Sequence, residues 1–288
     1  MKFGMNMLLW TDNLTDEHLP LMERLKKMGF DGVEFTIFDH DVKKYRDLGR
    51  WLDDTGLERT VVTCVLDDKN PISPDAKVRA AGVEQLKGVL ECCQAVGAKI
   101  MAGPFHSSLG GFSGSPPTAD EWKWGVECMQ RNAETAQKCG VTLAVEYLNR
   151  FECYLLNTAA DTVRFVKDVG HPNCRMMYDT FHANIEEKNI PQAIKTCAEY
   201  TVHVHISEND RGTPGQGHVH WKESFDTLKE TGYDGWFVIE AFGLALPGLA
   251  AATKIWRRMF ESEEQLARDG LAFMESEWAK RKSAATGR

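Results

Sequence analysis

At 288 residues, with 43% hydrophobic and 26% charged residues, the chain is long enough to bury one large core and is ordinary globular in composition. Its formal net charge of −8 argues against non-specific nucleic-acid binding, which needs a positive surface to neutralise phosphates. The first ten residues turn polar too soon for a secretory leader and no run of about 18 apolar residues suggests a membrane span, so the expectation is a cytoplasmic protein acting on a small neutral molecule.

Short β-type runs alternate with longer amphipathic stretches along the whole chain, the pattern of βα units. In chain order, strands are predicted near 3–9, 32–36, 59–64, 99–103, 142–146, 174–179, 201–206 and 235–240. Helices are predicted near 15–28, 41–56, 74–96, 118–139, 158–169, 188–199, 221–231 and 248–283, the last including a long charged amphipathic segment from Phe260. Glycines at 29, 56, 97, 140 and 232 fall where a helix hands over to a strand, as expected of left-handed helix ends. No linker divides the chain. The expected fold is a single (β/α)₈ TIM-barrel domain with a long C-terminal helix.

Two loops on the C-terminal side of the strands are long, 104–117 after the fourth strand and 207–217 after the seventh, and are candidate lids or substrate walls. The eight cysteines form no Cys-x-x-Cys pair and lie mostly in apolar patterns, so they are expected to be reduced and buried. Cys64 differs: it ends a strand and is expected to face the barrel mouth.

Glu146, Asp179, His205 and Glu240 end four successive apolar runs, spaced by about one βα repeat. A lone Asp179 reads equally as a helix N-cap, and a lone strand histidine as a core residue. Four such groups in one layer are costly unless a cation pairs with them. Three carboxylates and one imidazole at a barrel mouth suit a divalent ion such as Mn²⁺ or Co²⁺. The His203-x-His205 spacing puts both side chains on one strand face, with His203 assigned to the layer beneath as a core residue and His218 and His220 to the surface. Glu34, Glu152, His182 and Arg211 are expected around the ring, a set suited to sugar hydroxyl and carbonyl groups. Neither a Gly-rich phosphate cradle nor a Lys/Arg cluster is evident.

The segments Glu146-x-x-Asn149-Arg150-Phe151-Glu152, Asp179-Thr-Phe-His182, His205-Ile-x-Glu208-x-x-Arg211-x-x-Pro214-Gly-x-Gly217 and Glu240-x-Phe242 resemble the ketose 3-epimerases, such as D-tagatose and D-allulose (D-psicose) 3-epimerase, among the xylose-isomerase-like barrels. The resemblance covers essentially the whole chain. It implies one Mn²⁺, Co²⁺ or Mg²⁺ per chain on Glu146, Asp179, His205 and Glu240, a homodimer or homotetramer, and a grip on the O1 to O3 end of a ketose by Glu152, His182 and Arg211, with Phe242 also in contact. It further implies that Glu146 and Glu240 serve as opposed acid and base at C3, acting on D-fructose and D-allulose, D-tagatose and D-sorbose, or L-ribulose. Asn6 stands where a relative has an aromatic residue, and the loop with Phe105, His106 and Phe112 also departs from the pattern. Asn6, Cys64 and that loop are expected to meet the C4 to C6 end. The alternatives on the same site are an aldose–ketose or hydroxypyruvate-type isomerase, a nuclease of the endonuclease IV type, and a silent sugar-binding protein.

Overall fold

Eight strands pair in parallel and in sequence order, and the first closes on the last: β1 (Lys2–Asn6), β2 (Gly32–Thr36), β3 (Glu58–Val62), β4 (Ile100–Gly103), β5 (Thr142–Val145), β6 (Cys174–Asp179), β7 (Thr201–Ile206) and β8 (Trp236–Ile239). The computed structural model describes residues 1–281. Around the barrel run α1 (Leu19–Met28), α2 (Val42–Thr55), α3 (Ala76–Val96), α4 (Ala119–Cys139), α5 (Ala159–Val169), α6 (Thr180–Glu186), α7 (Ile190–Cys197), α8 (Trp221–Glu230), α9 (Pro247–Thr253) and α10 (Glu263–Ala279). Among the described residues, no helix is long and apolar enough to cross a membrane.

Period-two alternation divides each strand between the lumen and the helices. On β2, Val33 and Phe35 pack into the main apolar core, while Gly32, Glu34 and Thr36 share the opposite face. The floor of the lumen is filled by Trp236. A Cβ at Gly32 would stand 2.6 Å from the indole and 2.5 Å from the Glu58 carbonyl oxygen, so only glycine admits that ring. Gly4, paired with Gly32 across β1 and β2, is tight against the same indole. Four of the expected glycine stops, Gly29, Gly56, Gly97 and Gly140, follow their helices directly in left-handed backbone. All eight cysteines are free thiols, six of them buried.

Three elements depart from expectation. β1 stops at Asn6, whose side chain caps a 3₁₀ turn over Met7–Leu9, so the strand does not continue to residue 9. Asp179 caps the short α6, an extra helix absent from the sequence reading. The expected helix 248–283 is two helices: α9 ends at Lys254, a non-glycine residue in left-handed backbone, and α10 begins only after the Ser262 cap. Its expected last residues, 282 and 283, lie outside the described residues.

Candidate active site

Glu146 stands one residue beyond β5 and Glu240 one beyond β8, each still held to the sheet by its own N–H, which donates to Gly103 O at 3.1 Å and Ile206 O at 3.2 Å respectively. Between them a register irregularity at Met176/Met177 brings Asp179 of β6 level with His205 of β7. One ligand-type atom from each of the four residues lies within 4.8 Å of the others. All four side chains are buried.

Asp179 caps a helix and still offers an oxygen to the ring. Its Oδ1 accepts the N–H groups of Phe181 at 2.6 Å and His182 at 3.2 Å, which starts α6, while Oδ2 faces the ring. His205 Nδ1 sits 3.5 Å from Asp179 Oδ2 and 3.4 Å from Glu240 Oε1 without an aligned hydrogen-bond partner. A buried ring nitrogen left free among three carboxylates fits a single divalent cation of hard to borderline preference. These groups can therefore hold one metal ion.

The charges are tightly balanced. Burial drives the Glu146 carboxyl well above its ordinary range, and the Glu240 carboxylate adds to the shift. Burial also opposes ionisation of Asp179, but His182, Arg211 and His205 hold its carboxyl well below the usual range. Burial opposes the charged form of His205 as well, yet Glu34 and Glu240 raise its proton affinity well above that of a free imidazole. A cation bound to these atoms displaces such protons, because ligand atoms must be deprotonated.

Arg211, from the loop after β7, reaches into the ring with Nη1 donating to Glu240 Oε2 at 2.6 Å and Ser207 Oγ at 2.8 Å. Its guanidinium lies between Phe181, 3.7 Å from the ring centroid, and Phe242 at 4.9 Å. Its φ of 62° is left-handed, a costly conformation for a side-chain-bearing residue, held by its N–H on Glu208 O and by the Phe242 N–H on its own carbonyl. The loop folds around the buried Glu208, whose carboxylate accepts N–H groups of Asn209, Gly215 and Val219 and the Trp221 indole.

His182 accepts the Asn149 N–H on Nδ1 at 3.0 Å, and its Nε2 lies 3.2 Å from Arg211 Nη2, a group that can only donate, and 3.7 Å from Glu146 Oε1. Burial lowers its proton affinity despite Asp179. Asn149 also donates to Glu152 Oε1 at 2.8 Å. The sequence reading assigned no role to Asn149, Ser207 or Phe181, whose contacts with His182 and Arg211 appear only in the folded chain.

A cavity of about 230 Å³ opens above the ring, lined by Glu146, Glu152, His182, Arg211, Glu240 and Phe242, with Cys64, Leu8, Phe38, Val62, Leu109 and Leu148 among its further walls. Burial and Glu146 push the Cys64 thiol up to about 11, leaving a poor nucleophile near neutrality. Two expected contacts lie elsewhere. Asn6 is fully buried beneath the cavity, its amide donating to Glu34 and its Oδ1 accepting the Leu8 N–H. Phe105 is likewise buried in the core, and Phe112 is half-exposed against Tyr154. Glu34 belongs to the layer below the ring with His203, whose Nε2 lies 2.8 Å from Glu34 Oε2. His218 and His220 are exposed.

His106, in the same loop as Phe105, is fully buried with Nε2 unpartnered, and burial holds its pKa down at about 3. The unfolded chain therefore takes up this proton first. Its contribution to stability is complete above about pH 6.5 and is lost as pH falls toward 3, at up to about 1.4 kcal/mol per pH unit. Denaturant titrations between pH 7 and 4 are expected to show a shallower slope for His106→Gln than for the parent, and equal slopes would refute the assignment.

A family model for xylose isomerase-like TIM barrels matches residues 22–277, which defines the class of the fold. The D-psicose 3-epimerase of Agrobacterium fabrum is 33% identical, spanning 95% of this chain and 98% of its own, and the L-ribulose 3-epimerase of Mesorhizobium japonicum is 32% identical over 95% and 93%. A solved L-ribulose 3-epimerase superimposes with a TM-score of 0.92 at 31% identity, covering 97% of this chain and 95% of that one. The chain belongs to the ketose 3-epimerases of this barrel family and is a carbohydrate epimerase.

Proposed function

We propose that the chain, acting as one catalytic domain, epimerises free ketoses at C3 through a cis-enediolate, with Glu146 and Glu240 as opposed acid and base. The observation that carries this reading is the disposition of those two carboxylates: β6 and β7 lie between their strands, so they approach one 230 Å³ cavity from either flank. A carboxylate on each face of C3 takes the carbon-bound proton from one side and returns one from the other. The His182 imidazole and the Arg211 guanidinium meet O1 and O2, Glu152 accepts from a hydroxyl, and Phe242 and Cys64 form walls. A divalent ion on Glu146, Asp179, His205 and Glu240, Mn²⁺ in the first place and Co²⁺ or Mg²⁺ otherwise, supplies positive charge beside the oxygens where negative charge develops.

The substrates proposed are D-fructose and D-allulose, D-tagatose and D-sorbose, and L-ribulose. The cavity offers one guanidinium, already bonded to Glu240 and Asp179, and no second cation for a phosphate. A cytoplasmic homodimer or homotetramer completes the reading. Incubating each ketose with Mn²⁺ in D₂O tests it. A two-base epimerase places deuterium at C3 of the product ketose, since the returning carboxylate exchanges with solvent. Aldose labelled at C2 as main product would identify an isomerase instead, and binding without any exchange a silent sugar-binding protein.

A further inference from the structure

Beneath the ring lies a carboxylate that does not line the cavity above it. Glu34, on β2, is fully buried, and all its partners are buried too. Its Oε1 accepts from the Asn6 amide at 2.9 Å and pairs with His205 Nε2 at 2.7 Å across the lumen. Its Oε2 accepts from Thr60 Oγ1 at 2.9 Å and faces His203 Nε2 at 2.8 Å. Packing does not require a charge here, since the lumen elsewhere is filled by Ala102, Ala144 and Met177. A buried carboxylate is costly unless each oxygen is matched, and here four neighbours from four other residues match it.

We propose that Glu34 is a positioning residue, a carboxylate clamped by Asn6 and Thr60 that fixes His205 with its hydrogen on Nε2 and Nδ1 turned into the ring. The physical basis is general: a histidine ligand is oriented and made more basic by the acceptor of its other ring hydrogen. Asn6 thus acts on the ion centre through Glu34, and not on the far end of the sugar. The inference rests on the ion-binding reading of the ring given above. The Glu34, His203 and His205 trio also meets the distance condition for a second ion. Hydrogen bonds from Asn6 and Thr60 to those same oxygens favour the clamp, because a metal-bound carboxylate would have fewer lone pairs to offer them.

Titrating Mn²⁺ calorimetrically into the chelator-stripped full-length protein tests this. The wild type is expected to take one ion per chain. Glu34→Gln is expected to fold when stripped, to bind Mn²⁺ about 10–100-fold more weakly, and to keep its KM for ketose within about twofold once Mn²⁺ saturates. Thr60→Val, which deletes one bond to Glu34 at constant shape, is expected to weaken Mn²⁺ binding in the same direction by less, and it decides the matter if Glu34→Gln does not fold. Wild-type Mn²⁺ affinity in folded Glu34→Gln, or in Thr60→Val where that is the deciding variant, would overturn the proposal alone, as would two ions per wild-type chain. A wild type that binds no Mn²⁺ would overturn the ion reading itself.

Discussion

Glu146→Gln and Glu240→Gln are each expected to lower turnover by about 10²–10⁴-fold, the usual cost of a lost general acid or base. The two variants should differ in another respect. Burial and Glu240 already favour the neutral form of Glu146, so a neutral amide there leaves the stability of the ion-stripped fold nearly unchanged. At Glu240 the amide removes the charge that Arg211 Nη1 meets at 2.6 Å, leaving the buried guanidinium with Asp179 as its remaining hydrogen-bonded carboxylate, so the stripped Glu240→Gln protein should melt lower. Bound ion must be quantified beside rate. A metal-replete variant with near-parental turnover at either position would remove that residue from the chemistry.

Stripping the divalent ion with a chelator is expected to abolish turnover and to lower the melting temperature by several degrees. An ion bound only by the folded state at 100 times its Kd contributes about 2.7 kcal/mol. For a chain of this size each kcal/mol moves Tm by roughly 2–4 °C. Removal also leaves Glu146, Asp179 and Glu240 facing one another with His182, His205 and Arg211 to offset them. Re-addition of Mn²⁺ should restore both properties together. Full activity after exhaustive chelation, with no metal found by elemental analysis, would refute the ion's part in the reaction.

The barrel was legible because its strands carry their own boundaries: glycines 29, 56, 97 and 140 end helices by backbone geometry that the residue type declares. The ring was legible for a related reason. Glu146, Asp179, His205 and Glu240 recur once per βα unit, and a closed parallel barrel turns that period into proximity. What the residues could not disclose was depth. Asn6 and Glu34 sit on lumen faces as Glu240 does, but Glu34 falls short of the end of β2 at Thr36, and only the closed barrel shows the Asn6 amide turned onto Glu34 and not into the cavity. The break at Lys254 left no trace either, because the left-handed residue there is a lysine and residues 254–262 contain neither glycine nor proline.

The loop 207–217 was expected as a candidate lid or substrate wall, and it is spooled on one buried carboxylate: three backbone amides and the Trp221 indole converge on Glu208, and the Asn209 side chain takes the His218 N–H as well. A loop so tied is ordered before anything arrives. The guanidinium of Arg211 is therefore presented in advance, and the entropic cost of arranging it has been met during folding and not at encounter. For a small, flexible sugar that offers few contacts, such a preset wall keeps the little affinity available from being consumed by loop ordering. It also makes the β7 side of this mouth its fixed wall.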